Sequence, residues 1–266
     1  MPMLNAQFDH AVVFVADLNR ASADFTELGF QVTPGGSHGV TENALVIFCN
    51  QTYIELLALK PSWNSALIKL AIKLNIVQRQ AQKKTDIYNR LISWICGDIG
   101  PVDWCARVND LDASLTIWEN QGIEILASEV FSRERTDGEV VHWKLGGSRQ
   151  ADLPFLLQDI TPIDSRIPVV GTAEHVNGAQ ALIAVQIGVI DITATDNMLQ
   201  KALIAKAAQT GGAEQQFSLG NIGVSLADMQ PATSKISIAL AYSGEQIQTL
   251  DISKTQGIKI TLIPTP

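Results

Sequence analysis

The stretch "FDHAVVFVADL" (Phe8–Leu18) decides the fold, because its pattern returns later in the chain as "DWCARVNDL" (Asp103–Leu111). Each copy is an apolar run of strand type that ends in Asp-Leu. A segment with helical periodicity follows, and a glycine comes twelve residues after the aspartate, at Gly29 and at Gly122. Glycine is favoured where a helix ends in the left-handed conformation, so both copies predict a strand, a helix and a second strand.

Further strand-type segments complete the same unit twice. The first copy continues with "NALVIFC" (Asn43–Cys49) and "TYIELLAL" (Thr52–Leu59), and the second with "EVVHWKL" (Glu139–Leu145) and "LPFLLQDI" (Leu153–Ile160). Each copy is therefore predicted to be a βαβββ module. Antiparallel strands with one helix per module indicate an α+β fold, in which two curved sheets face each other around a cleft.

The domain organisation follows from these modules. We predict a first βαβββ module over 1–60, a helical insertion over 61–100, a second βαβββ module over 101–160, a linker over 161–179 and a C-terminal module over 180–266. The linker contains Pro and Gly and has little periodicity. The C-terminal segment is interpreted as a shortened third module or as a degenerate pair of half-modules.

The insertion is basic and helical. Seven basic residues lie between Lys60 and Arg90, against one acidic residue, Asp86. Four apolar residues of its first helix share one face: Leu67, Leu70, Ala71 and Leu74. We interpret it as a solvated helix whose apolar face caps the cleft or the second sheet. The alternatives are a helix for an anionic partner or a membrane surface, and a dimer contact.

The bulk composition narrows the class of protein. Of the 266 residues, 46% are hydrophobic and 17% charged, which is typical of globular chains and not of disordered ones. The net charge of −8 disfavours nucleic acid, so a small-molecule ligand is expected. No apolar run reaches the roughly 18 residues of a membrane span. The start has no signal-peptide pattern and the three cysteines are sparse, so we expect a cytoplasmic protein.

These patterns resemble the vicinal oxygen chelate (VOC) superfamily, which includes glyoxalases, bleomycin resistance proteins and dioxygenases. Within it, four motifs resemble the glyoxalase-like domain proteins: "TPGGSHGVTENALVIF" (Thr33–Phe48), "RERTDGEVVHWKL" (Arg133–Leu145), "PFLLQ" (Pro154–Gln158) and "HVNGA" (His175–Ala179). The resemblance covers nearly the whole chain apart from the insertion. It implies that the two modules build an eight-stranded cup, with the shorter C-terminal βα-type module packed beside it.

The resemblance also implies a divalent metal in the cup, held by the first and fourth strands of each module. His10 and Glu55 match these positions in the first module. In the second module Gln158 matches Glu55, while Asp103 or, in another alignment, Trp104 matches His10. Imidazole and carboxylate ligands suit Fe²⁺, Mn²⁺, Ni²⁺, Co²⁺ or Zn²⁺. Because the second module departs from the pattern, a cup that has lost its metal remains the alternative.

Glu55 is the leading catalytic candidate. It lies in the otherwise apolar strand "YIELLAL", where an unpaired carboxylate is expensive to bury. Without a metal, burial would raise its pKa and suit it to general acid–base catalysis. His38 follows the turn "PGGS" and matches a histidine of the family, which makes it the second catalytic candidate.

Three further residues are expected from the resemblance to bind substrate: Asn43, Arg135 and Trp143. An arginine is suited to bidentate binding of a carboxylate. Each residue also has a purely structural interpretation. Asn43 would cap a turn, Arg135 would form a surface ion pair, and Trp143 would be a core side chain.

The expected function is that of a glyoxalase-like enzyme of lyase or isomerase type, acting on a small molecule with adjacent oxygens. A dioxygenase activity is not excluded, because the superfamily fold hosts all of these reactions. The alternative is a non-catalytic protein that sequesters a small molecule in a cup without metal. A third class is an interaction module that docks through the basic insertion. Dimerisation is common in this superfamily, and the Leu- and Ile-rich insertion would serve it.

Overall fold

The structure is a computed structural model that describes residues 5–63, 66–135, 138–203, 208–209, 215–230 and 234–265. The first 60 residues contain β1 (Gln7–Phe14), α1 (Leu18–Glu27), β2 (Thr33–His38), β3 (Thr41–Ile47) and β4 (Tyr53–Leu59). Three helices follow: α2 (Ala66–Lys73), α3 (Ile76–Ala81) and α4 (Tyr88–Cys96).

The second half of the cup repeats the first. It contains β5 (Gly100–Arg107), α5 (Leu111–Asn120), β6 (Ile125–Glu134), β7 (Val140–Ser148) and β8 (Phe155–Asp159). The remaining elements are α6 (Ile163–Arg166), β9 (Ala179–Val189), α7 (Ile192–Leu203), β10 (Ala208–Gln209), β11 (Gln215–Leu219), β12 (Ile222–Asp228), β13 (Ile236–Tyr242), β14 (Gln248–Thr249) and β15 (Lys259–Pro264).

The repeated Asp-Leu steps begin the two equivalent helices. The side chain of Asp17 accepts a hydrogen bond from the backbone N–H of Arg20 at 3.0 Å, and Asp110 accepts one from Ala113 at 3.0 Å. These are N-caps, which satisfy backbone donors that the first helical turn leaves free. The two helices therefore start at equivalent points of the two modules.

The first sheet has eight strands in the order β2-β3-β4-β1-β5-β8-β7-β6. β1 and β5 are antiparallel neighbours at its centre, β4 runs parallel to β1, and β8 runs parallel to β5. The two modules are thus related by an approximate two-fold axis between β1 and β5. The predicted α+β fold, with paired βαβββ modules forming an eight-stranded cup, is confirmed.

The second sheet repeats this arrangement in the C-terminal part of the chain. Its order is β10-β11-β12-β9-β13-β15-β14, with β9 antiparallel to β13 and parallel to β12. The strands β9 to β12 and helix α7 thus form a third βαβββ unit. Within residues 234–265, β13 to β15 form a shortened fourth unit that contains no helix.

Two apolar cores lie on opposite faces of the first sheet. The larger core joins both sheets through α1, α5 and α7, and Nε1 of Trp118 donates to the backbone oxygen of Ala202 at 2.9 Å inside it. The smaller core lies inside the cup, where Trp94 of α4 packs on Phe155 and Phe131. None of the described helices is long and apolar enough to cross a membrane.

Candidate active site

A cavity of about 400 Å³ lies inside the cup and is lined by both modules and by α4. One wall is polar and is formed by six side chains: His10, Asn43, Tyr53, Glu55, Arg133 and Arg166. The apolar wall, the other part of the lining, includes Leu91, Ile95, Phe131, Trp143 and Leu145. Cavities of this size with few convergent polar groups are typical small-molecule sites. A lining with one polar and one apolar part favours a ligand that has one polar end.

A β-bulge in β1 brings the buried side chain of Asp9 next to His10, which lines the cavity. In the pairing of β1 with β5, Phe8 lies opposite Ala106 and His10 lies opposite Cys105, so Asp9 is the extra residue. Nδ1 of His10 lies 2.7 Å from Oδ1 of Asp9. The other ring nitrogen, Nε2, therefore points towards the cavity.

Asp9 is fully buried and is bound by two arginines. Arg166 of α6 donates to its two oxygens at 3.0 and 2.8 Å, and Arg107 donates to Oδ2 at 3.1 Å. Burial opposes ionisation of Asp9, but the charge of Arg166 and the hydrogen bond with His10 outweigh it. The pKa of Asp9 is therefore held well below its usual range.

His10 lies between two carboxyl groups. Its ring stacks on Tyr53 with 4.4 Å between centroids, and its Nε2 lies 3.5 Å from Oε2 of Glu55. Burial lowers the pKa of His10, but the interactions with Tyr53, Cys105 and Asp9 outweigh this and raise the pKa well above its usual value. The carboxyl groups of Asp9 and Glu55, one at each ring nitrogen, favour the protonated form of His10.

Glu55 reaches the cavity and is held by two neighbours. Asn43 of β3 donates to its Oε1 at 2.5 Å, and His10 approaches its Oε2. Burial raises the pKa of Glu55, but the interactions with His10 and Asn43 outweigh it, so the pKa is lowered. From the sequence, burial alone was expected to raise the pKa of Glu55. The structure corrects this expectation, because His10 and Asn43 together lower the pKa.

The structure does not bring Asp103 into the cavity lining. The pairing of Val12 with Asp103 and of His10 with Cys105 makes Asp103, and not Trp104, the two-fold equivalent of His10. Arg90 of α4 donates to both oxygens of Asp103 at 2.6 Å, and Trp94 donates to Oδ2 at 2.7 Å. Both oxygens of Asp103 are thus occupied by the helical insertion.

Gln158 also lies away from the cavity lining. Its Oε1 accepts a hydrogen bond from the backbone N–H of Leu111 at 2.9 Å, at the start of α5. Glu55 lies beside Val12, and Phe155 lies beside Cys105 in the equivalent pairing. The two-fold equivalent of Glu55 is therefore Phe155, and the alignment of Gln158 with Glu55 is off by three residues.

Members of the superfamily commonly bind divalent metals, which need several free donor atoms in one place. Within the described part of the chain, one group of donors comes together: Asp9, His10 and Cys105, with ligand atoms within 4.8 Å of one another. The oxygens of Asp9 are already bound by Arg107 and Arg166. Burial raises the pKa of the Cys105 thiol to about 11, so a metal bound there would have to displace the thiol proton.

The pair formed by His10 and Glu55 does not complete a metal site either. Structural and catalytic zinc sites and the iron facial triad need at least three protein ligands. Asp103 is bound by Arg90, and Phe155 has no donor atom. Within the part of the chain that the structure describes, no other group of three such donors comes together, so these residues do not complete a divalent-metal site.

The remaining predicted residues divide into three groups. Asn43 and Trp143 line the cavity. Arg135 lies outside its lining and donates to Glu139 at 3.2 Å and to the backbone oxygen of Ser165 at 3.0 Å. Of His38 the structure describes the backbone at the end of β2, and its side chain lies outside the described part.

Arg133 occupies the wall position that the sequence analysis expected for Arg135. It donates to the backbone oxygens of Gly35 at 2.6 Å and of Arg166 at 2.8 Å. Strand alternation in β6 could have predicted Arg133 as a cavity residue. Phe131 and Arg133 share a face of the strand, and both line the cavity. No comparable pattern pointed to Arg166, which comes from the irregular linker.

Comparison with known proteins supports the fold and the family. The family model described as "Glyoxalase-like domain" matches residues 8–203. A hypothetical protein from Staphylococcus aureus superposes with a TM-score of 0.76 at 18% identity, over 98% of this chain and 100% of that one. Among curated proteins no relative matches the chain.

Two enzymes share the fold more distantly. A mutant 4-hydroxymandelate synthase from Streptomyces coelicolor has a TM-score of 0.52 at 12% identity, over 92% of this chain and 72% of that one. A xylose isomerase-like TIM barrel/4-hydroxyphenylpyruvate dioxygenase fusion protein has a TM-score of 0.54 at 12% identity, over 91% of this chain and 37% of that one. At these identities the likeness shows the fold alone. The family match covers most of the chain, and the chain therefore belongs to the glyoxalase-like domain family of the VOC superfamily.

Proposed function

We propose that this chain is a glyoxalase-like enzyme that moves a proton at a carbon next to a carbonyl group, as isomerases and many lyases do. The observation that carries the proposal is the position of Glu55. Its side chain is 15% exposed, is held by His10 and Asn43, and lines a cavity that is otherwise largely apolar. A cup that only binds an apolar molecule has no need of such a buried charge.

The roles follow from charge and position. Glu55 is ionised and would take the proton from the substrate carbon. The imidazolium of His10 and the guanidinium of Arg133 line the same wall and would stabilise the negative charge that develops on the carbonyl oxygen. Return of the proton to carbon gives isomerisation, and departure of a neighbouring group gives a lyase reaction. Asp9 orients His10 through Nδ1.

The cavity also favours one class of substrate. Both hydrogen-bond acceptors of Arg133 are backbone oxygens. Within the described residues its positive charge is therefore not neutralised by a direct ion pair. A carboxylate or a pair of adjacent oxygens suits that position. Leu91, Phe131 and Trp143 would hold an aliphatic or aromatic body. We therefore expect an amphipathic 2-oxo or 2-hydroxy carbonyl compound.

Deuterium exchange tests this reaction without knowledge of the product. The protein is incubated in D₂O with aromatic and aliphatic 2-oxo acids and 2-hydroxy ketones. Phenylpyruvate is the first, because a neighbour in the fold is named for 4-hydroxyphenylpyruvate. Proton NMR follows deuterium uptake next to the carbonyl. We expect Glu55→Gln to slow uptake about 100-fold or more and the exposed control Glu119→Gln to leave it unchanged. Tight binding of these compounds without any catalysed exchange would contradict the proposal.

The alternative function is a binding protein for an amphipathic small molecule, and the apolar wall and the incomplete metal site favour it. The two functions differ in the role of Glu55. A binding protein would retain its affinity for an apolar probe in Glu55→Gln and would turn over no compound of the panel. Calorimetry on wild type and this variant distinguishes the two.

A further inference from the structure

The first helix of the insertion exposes the apolar face that the sequence analysis expected to be buried. Leu67 and Leu70 of α2 are exposed, Leu67 to 79%, and their spacing of three residues places them on one side of the helix. Trp63 before the helix and Leu74 directly after it are exposed as well. These four residues are called the leucine face. The cup itself is capped by α4, whose Leu91 and Trp94 line the cavity. The leucine face is therefore not used to close the cup.

Exposed basic side chains lie in the same insertion as the leucine face. Lys73, Arg79, Lys83 and Lys84 are exposed, and none of them forms an ion pair with another described residue. Segment 61–100 contains six basic and two acidic residues, whereas the rest of the chain contains 13 basic and 25 acidic residues. The chain thus has a positive apolar segment on an acidic body.

We propose that the leucine face docks on an anionic membrane surface, with leucine and tryptophan side chains in the headgroup region and the lysines at the lipid phosphates. Exposed apolar residues flanked by basic ones are the signature of helices that lie in a membrane interface. The acidic body would be repelled from the same surface, so the charge asymmetry also fixes the orientation. A second copy of the chain suits this face less well, because a two-fold contact would bring two basic segments together.

Contacts of the insertion connect the leucine face to the cavity. The backbone N–H of Lys60 donates to the oxygen of Val40 at 3.0 Å, and Val40 lines the cavity. Helix α2 packs on α3, and α3 packs on α4, which forms the apolar wall. The membrane-facing helix is thus joined at both ends to the cavity lining. An amphiphile that partitions into lipid would therefore be concentrated next to the site.

Vesicle sedimentation of the full chain tests the proposal. We expect binding to phosphatidylcholine vesicles that contain about 30% phosphatidylglycerol, at least about tenfold weaker binding to pure phosphatidylcholine vesicles, and release by about 0.5 M salt. Leu70→Glu/Leu74→Glu should abolish binding. Its matched control is Val170→Glu/Val176→Glu, which has the same change of charge at two residues that are 95% exposed. Circular dichroism verifies the fold of each variant.

Two further measurements separate lipid binding from self-association and from a general effect of charge. Brominated phosphatidylglycerol should quench a fluorescence component that Trp63→Phe removes. Lys73→Glu/Lys84→Glu should weaken binding about tenfold or more, whereas Lys201→Glu/Lys259→Glu, an equal change at exposed lysines elsewhere, should not. No binding to anionic vesicles at low salt would overturn the proposal. A dimer in light scattering that Leu70→Glu/Leu74→Glu dissociates would assign the face to a second copy and overturn it equally.

Discussion

Each half of the cup contains one buried aspartate that an arginine from outside its module neutralises. Arg166 of the linker binds Asp9, and Arg90 of the insertion binds Asp103. A buried carboxylate without such a partner is strongly unfavourable. The two halves differ in what lies next to the buried aspartate. Asp9 is followed by His10, which opens on the cavity, whereas Asp103 is covered by α4.

The charge of His10 makes the stability of the protein depend on pH. Its pKa is raised in the folded state, so the stability that it contributes is fully present below the unfolded value of about 6.5. This contribution is lost as the pH rises through the higher folded pKa. We expect the gap in unfolding free energy between wild type and His10→Gln to shrink steadily above about pH 6.5. Urea denaturation between about pH 6 and 9 measures it, and a gap that widens with pH would contradict the assignment of an imidazolium.

Gly35 positions the base through Asn43. A Cβ atom at Gly35 would lie 2.2 Å from Oδ1 of Asn43, so Gly35→Ala must displace the amide that donates to Glu55. We expect the pKa of Glu55 to rise while the fold is retained. Carbon-13 NMR of the glutamate carboxyl groups measures this pKa. Gly97→Ala is the control, because a Cβ there meets neighbours at ordinary contact distances of 3.5 and 3.7 Å. An unchanged Glu55 pKa in Gly35→Ala would show that Asn43 does not set it.

At the scale of elements, local patterns were predictable and long-range contacts were not. The N-cap residues Asp17 and Asp110 and the glycines that end the two helices can be recognised in the sequence. Each aspartate and its glycine are only twelve residues apart. The repeat therefore predicted the paired modules, and it offered Asp103 or, in another alignment, Trp104 as the counterpart of His10. The partner of Asp103 could not be predicted, because Arg90 belongs to an insertion without a counterpart in the repeat. The same applies to Arg166.

Helix α4 closes the second half of the cup through the pair of Arg90 and Asp103. Arg90→Met leaves a buried carboxylate without its cation, and we expect a loss of about 3–5 kcal/mol of unfolding free energy. Arg90→Met/Asp103→Asn removes the charge as well and retains an acceptor for Trp94. It should therefore recover most of that loss. Urea denaturation of both variants measures the difference. Equal stability of the two would show that the buried charge is not the cause.

At the scale of the whole molecule, the two sheets share one apolar core. Phe25 and Trp118 from the first two modules pack in the same cluster as Val185 and Leu199 from the C-terminal part. Backbone bonds also cross between the sheets, such as that from Cys49 to the oxygen of Gln180 at 2.8 Å. The repeat in the sequence was sufficient to predict the fold with its paired modules and cup. It contained no local pattern for this shared interface, which forms between segments far apart in the chain.

A shared core predicts that the cup and the C-terminal sheet unfold together. Leu199 of α7 is fully buried, so Leu199→Ala should cost about 2–5 kcal/mol. Because unfolding is cooperative, the slowest-exchanging amides of β1 and of β9 should lose protection by the same free energy. Hydrogen exchange with mass spectrometry measures both strands in one experiment, and the exposed Leu67→Ala serves as the control. Loss of protection in β9 while β1 remains unchanged would mean that the two sheets are independent folding units. In that case the cup would tolerate changes in the C-terminal sheet that cooperative unfolding would make costly.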